Sequence, residues 1–124
     1  MTTQRRDDHS TEFGLWLRGQ LPNQKTCVES IDSKKGYVAT NIDFLWSNYR
    51  TGDWMLIEEK RFGKFVKSWQ AALFKLLDDC CREHPKYHGF HILRFEHTSP
   101  DDGKIWWDSE IITPKSLLSK LRFE

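Results

Sequence analysis

The residues best suited to chemistry are Asp43, Glu58 and Lys60, the last two in a run Glu58-Glu59-Lys60 that follows Asp43 after fourteen intervening residues. Residues 41–60 read as two strands joined by a tight turn. Positions 42–49 are rich in aromatic and apolar residues, Arg50-Thr51-Gly52 is turn chemistry, and positions 54–60 begin apolar and end charged. Side chains alternate across a strand, so Glu58 and Lys60 share a face.

Whether Asp43 joins that face depends on the hairpin register. A four-residue loop, 49–52, with Gly52 in the left-handed conformation, pairs Asn48 with Asp53 and sets Asp43 opposite Glu58. A three-residue loop, 50–52, sets Asp43 opposite Glu59 instead, and the sequence leaves both open. In the first register two carboxylates are neighbours, and both stay ionised only with a cation between them. Hard oxygen donors of this kind suit Mg²⁺ or Mn²⁺ carrying several waters. Lys60 beside such an ion could orient or help deprotonate an attacking water, or stabilise charge building on a phosphate.

Asp43 followed by Glu58-Glu59-Lys60 resembles the signature of the PD-(D/E)xK nuclease superfamily, with Ile42 standing where the family's name residue is proline. The resemblance covers roughly residues 10–95 in the order of elements. It implies a restriction-endonuclease-like, three-layer α/β (α+β) fold, a mixed central sheet flanked by helices in the order α-β-β-β-α-β-β-α. It also implies Asp43 and Glu58 as metal ligands and Lys60 as a catalytic group. Glu12, in the first expected helix, lies where Holliday-junction resolvase-like members carry an acidic metal-site residue. Gln70-Ala71-Ala72-Leu73-Phe74 is similar to the Gln-x-x-x-Tyr of RecB-like nucleases, with Phe74 for tyrosine, which adds Gln70 to the catalytic set.

A chain of 124 residues is the size of one domain. Apolar residues make up 38% and charged ones 30%, a balance that excludes a disordered chain and a membrane protein. No apolar run is long enough for a span, and none follows Arg5-Arg6, so neither a membrane segment nor a signal peptide is expected and the cytoplasm is. Cys27, Cys80 and Cys81 form neither a disulfide framework nor a zinc spacing, and no two histidines stand four apart on a helix. A net charge of +1 speaks against wholesale affinity for nucleic acid, so phosphate contacts need a local basic patch. Arg61, Lys64 and Lys67 are the best candidates, followed by Lys34 and Lys35, which otherwise are simply exposed turn lysines. Phosphate-loop, dinucleotide-binding and hydrolase-elbow motifs are missing from the sequence.

The remaining elements follow from pattern. Residues 1–9 are expected to fray, and Ser10 or Thr11 to cap a helix that runs to about Arg18 and ends at Gly19. Phe13, Trp16 and Leu17 would face the core, and Glu12 suits the helix dipole whether or not it serves a metal. Residues 26–31 read as a strand. Residues 65–83 read as a helix with a core stripe of Val66, Trp69, Leu73, Leu76, Leu77 and Cys80. Gln70 borders that stripe, either aimed at the site or an ordinary boundary glutamine. Residues 88–97 and 104–112 read as antiparallel strands about the turn 99–103, with Trp106 and Trp107 on opposite faces and His88 and His91 at the rim. Thr113-Pro114 opens a last helix. Trp46, Trp54, Trp69 and Trp107 are expected inside, any surplus serving base stacking or partner contact.

The function that these readings favour is a small Mg²⁺- or Mn²⁺-dependent nuclease acting on DNA or RNA, with homodimer formation left open. The alternative is a non-catalytic nucleic-acid- or protein-binding module on the same fold, such as an inhibitor or adaptor of the kind a phage encodes. A third reading makes Glu58-Glu59-Lys60 no more than a charged strand end.

Overall fold

The computed structural model describes residues 11–124, so the expected fraying of residues 1–9 and a cap at Ser10 lie outside the described residues. The chain divides into two compact units, Met1–Asn41 and Ile42–Glu124.

In the first unit, helix α1 spans Glu12–Leu17. Thr11 caps it, its hydroxyl accepting from the Gly14 N–H at 2.9 Å, and Gly19 closes it at φ 70°. Phe13 does not face a core as its spacing predicts, since it is 66% exposed and stacks on the side of Trp16. The strand expected at 26–31 does not form. Ser30 takes a φ of 66°, which breaks an extended run, and Val28 alone among these six residues is even half-buried. A single 3₁₀ turn, Ser33–Lys35, follows, capped by the Asp32 carboxylate and closed by Gly36.

The second unit is a five-stranded mixed sheet with a helix on each face, its strands β1 (Phe44–Ser47), β2 (Trp54–Lys60), β3 (Tyr87–Phe95), β4 (Ile105–Trp107) and β5 (Glu110–Ile112) lying side by side in chain order. β1 and β2 are antiparallel. Parallel strands need a crossover, and helix α2 (Ser68–Cys81) supplies the one between β2 and β3. One β3 residue is extra between the Trp54↔Tyr87 and Leu56↔Phe90 pairs, at a bulge where Gly89 takes φ 103°.

Residues 104–112 form two short strands rather than one. Asp108 and Ser109 both adopt left-handed φ, 49° and 77°, and turn β5 back along β4. The Asp108 carboxylate then takes the Ile92 N–H at 2.9 Å, filling the ladder position that a continuous strand would have occupied.

Alternation divides the sheet residues between two faces. Met55, Ile57, Leu93, Phe95, Ile105 and Trp107 form the core with Leu117 of helix α3 (Pro114–Leu121). Leu56, Glu58, Lys60, Phe90, Ile92 and Arg94 point the other way, toward α2, whose Phe74 stacks on Phe90 at 4.4 Å between centroids. The sheet-facing stripe of α2 is Gln70, Leu73, Phe74, Leu77, Asp78 and Cys81. This stripe is rotated from the expected one, so Trp69 and Leu76 stand 42% and 61% exposed and Cys80 faces solvent. Trp46 is also only partly covered, at 40% exposure, while Trp107 is buried and Trp106 lies on the opposite face as expected. Among the described residues no helix is long and apolar enough to cross a membrane.

Candidate metal and active site

The hairpin register decides the site. β1 pairs Phe44 with Ile57 through Ser47 with Trp54, and the Asn48 N–H donates to the Asp53 carbonyl at 2.9 Å. The loop is therefore the four residues 49–52, with Gly52 at φ 85° and its N–H bonded to the Asn48 carbonyl at 2.8 Å. One step beyond Phe44↔Ile57, Asp43 lies opposite Glu58. The Asp43 carboxylate turns onto β2 and accepts from the Glu59 N–H at 2.7 Å, which fixes it beside the Glu58–Glu59 peptide.

Glu58 is 4% exposed, the one buried charged residue among those described. Taking a carboxylate out of water costs several kcal/mol unless opposite charge or donors meet it. Lys60, two residues on and on the same face, brings its Nζ to 3.5 Å from Glu58 Oε2. The same ammonium donates to Gln70 Oε1 at 3.3 Å. Glu58, Lys60 and Gln70 thus meet at the carboxyl end of β2, beside the carboxyl end of its parallel neighbour β3, where open α/β sheets offer a crevice, and Asp43 faces Glu58 across the hairpin. The rotation of α2 explains why Gln70 takes part, since it stands on the sheet-facing stripe rather than beside it.

Among the described residues no three His, Cys, Asp or Glu side chains come together as a metal cluster. Asp43 and Glu58, facing each other at the open end of the hairpin, are two carboxylates, a donor set that would suit only an ion keeping several of its own waters, such as Mg²⁺, and not one that needs a full protein cage. Glu12 belongs to the unit ending at Asn41, as an exposed first-turn acid of α1. Lys34 and Lys35 belong to it too, exposed in the 3₁₀ turn.

The expected basic patch is only partly available. Arg61 pairs with Glu59 at 2.9 Å on the α3 side of the sheet, Lys64 is exposed, and Lys67 is the exposed N-cap residue of α2. Sequence reasoning missed Arg94, the cross-strand partner of Lys60. Its guanidinium lies between the Phe65 ring at 3.9 Å and the Trp106 ring at 4.5 Å and donates to the carbonyls of Lys64 and Gly63. That arrangement ties down the loop leaving Lys60. An arginine inside the apolar run His91-Ile92-Leu93-Arg94-Phe95 was the available signal.

No protein-family model matches the chain, and neither a curated protein nor a solved structure is significantly similar to it. The functional reading therefore rests on the site's own geometry.

Proposed function

We propose that this protein is a small Mg²⁺- or Mn²⁺-dependent nuclease with a PD-(D/E)xK-type site on a restriction-endonuclease-like fold, acting on DNA or RNA in the cytoplasm. The observation that carries the reading is the register setting Asp43 opposite Glu58, with Lys60 on the face of Glu58 and Gln70 on the lysine ammonium. The succession of helix, antiparallel hairpin, crossover helix and parallel strand supports the fold assignment, although the strand expected before the hairpin is missing from the described residues.

Asp43 and Glu58 are the residues to hold the ion. A divalent cation there would supply an activated water and offset charge on the scissile phosphate. Lys60, paired with Glu58 and hydrogen-bonded to Gln70, presents its ammonium where it can donate to the attacking water or to a phosphate oxygen. Gln70 acts through Lys60 and is a positioning residue. Lys64 and Lys67, exposed in the segment between β2 and α2, are the lysines proposed to meet phosphate.

The test is cleavage of single-stranded, duplex and branched DNA and of RNA with Mg²⁺ or Mn²⁺. The proposal expects products from at least one substrate, lost in Asp43→Ala, Glu58→Ala and Lys60→Ala variants that keep the wild-type circular dichroism. Products indistinguishable from a no-enzyme control on every substrate would contradict it. That result would favour a non-catalytic protein-binding module, a reading supported by the exposed Trp69 and Leu76 on the outer face of α2.

A further inference from the structure

We infer that a second site, on the opposite face of the sheet and at the other end of the hairpin, binds single-stranded nucleic acid through stacked bases and paired arginines. The inference rests on the nuclease reading only in taking this strand to be substrate.

A groove of about 520 Å³ lies between the tip of the β1–β2 hairpin and the end of α3. Trp46, Tyr49 and Phe123 line it, together with Arg50 and Arg122, and no acidic residue does. Such a lining has a purpose to be explained. Tyr49 is 86% exposed and Trp46 40%, a large cost for aromatic surface left in water. Two of the three rings, Trp46 and Phe123, are nevertheless held in place, and Tyr49 has a cation beside it. Trp46 donates its Nε1–H to the Leu121 carbonyl at 2.8 Å, Phe123 packs on His88 at 4.7 Å, and the Arg50 guanidinium lies 5.9 Å from the Tyr49 ring centroid.

Exposed rings with cations beside them match single-stranded nucleic acid. Every base has a π-face to stack, each phosphate needs a positive partner, and neither contact depends on sequence. The chain as a whole is nearly neutral, at +1, so two arginines without an acid in one groove are a local excess of the sign a polyanion requires.

The placement also suits a strand entering the proposed site. The Asp43–Glu58 and Asn48–Asp53 pairs are five residues apart along the hairpin, or about 17 Å at the usual rise per residue. Trp46 points to the α3 face, whereas Glu58 and Lys60 point to the α2 face. β1 is the edge strand of the sheet, so groove and carboxylates lie at opposite ends of that edge and a strand bound to both need not cross the sheet.

The experiment is fluorescence-anisotropy binding of a dye-labelled oligothymidylate of about 12 nucleotides, a length within known site sizes, to the full chain in EDTA. Omitting metal separates binding from cleavage. The wild type is expected to bind, Tyr49→Ala to weaken binding about fivefold to a hundredfold, and Arg122→Ala to lower the salt slope of log K by about 0.7. Unchanged melting temperatures would exclude unfolding as the cause. No binding by the wild type, or binding that both substitutions leave unaltered, overturns the inference. So does a wild-type dimer that Tyr49→Ala dissociates in sedimentation, which would give the groove to a second copy. Wild-type cleavage of the same panel of single-stranded, duplex and branched DNA and RNA with metal, assayed alongside, tests the nuclease reading separately: binding with no cleavage of any substrate sinks that reading alone, and cleavage without groove-dependent binding sinks this one alone.

Discussion

Lys60 Nζ donates to Gln70 Oε1 across 3.3 Å, joining the end of β2 to the first turn of α2. The bond holds a long, flexible ammonium against the buried Glu58 carboxylate, and restraining that freedom is what a positioning residue contributes.

Gln70→Ala is expected to slow metal-dependent cleavage about tenfold, equivalent to about 1.4 kcal/mol in the barrier, with little effect on KM. Gln70→Glu should restore part of the rate, because its carboxylate still accepts from Lys60. Single-turnover kinetics with matched melting curves check this. A purely structural role would lower the melting temperature and leave the rate per folded molecule unchanged.

Metal should stabilise the fold. At free Mn²⁺ of about 100 times Kd the wild type gains about 2.7 kcal/mol, visible as a raised melting temperature. Glu58→Gln should remove the gain.

The tight turn carries the register, and Gly52 carries the turn. A Cβ at Gly52 would meet only Lys86 Cγ, at 3.9 Å, so crowding is not the obstacle to substitution. The cost of Gly52→Ala is the left-handed φ of 85°, worth about 1–2 kcal/mol. Urea denaturation should show a lower midpoint with an unchanged m-value.

His91 makes stability depend on pH. Burial pulls its ring toward neutrality, but hydrogen bonds to the Asp108 carboxylate at 2.6 Å and the His88 carbonyl at 2.7 Å outweigh this and hold its pKa above the usual value. A pKa raised by folding means tighter proton binding in the folded state. The stabilisation is fully present below the unfolded value, near pH 6.5, and is lost as pH rises through the folded pKa. Thermal melts of wild type and His91→Asn from about pH 6 to about pH 9 should therefore show a gap that narrows with rising pH.

Arg94→Leu should loosen the loop after β2. It removes the donors to the Gly63 and Lys64 carbonyls and the cation between Phe65 and Trp106. Faster hydrogen exchange at Phe62 and Gly63, whose amides bond to the carbonyls of His97 and Phe95, is the expected readout.

Much of this was legible in the sequence because several local signals agreed. The loop glycine, the aromatic-rich strand and the charged strand end all point to one hairpin, and only its loop length is left open by the sequence and fixed by the Asn48–Asp53 pair. The α2 stripe misled because two apolar rows run along that helix. Leu73 and Leu77 belong to the row that packs, Trp69 and Leu76 to the row that does not, and spacing alone weights both. The β4–β5 turn was hidden because Asp108-Ser109 lacks the glycine that usually marks one. Residues 26–31 have strand composition but no strand partner among the described residues, and Ser30 turns out of the extended region. Arg94 escaped notice because its role depends on Phe65 and Trp106, residues distant from it in the chain.

The proposed function requires Asp43 and Glu58 to share one divalent cation. Calorimetric titration of Mn²⁺ into wild type, Asp43→Asn and Glu58→Gln tests it most directly. A shared site binds a single ion in the wild type, with either substitution weakening affinity by about tenfold or more, or about 1.4 kcal/mol and upward. Equal Mn²⁺ affinity in all three proteins, or no binding by the wild type, would contradict it.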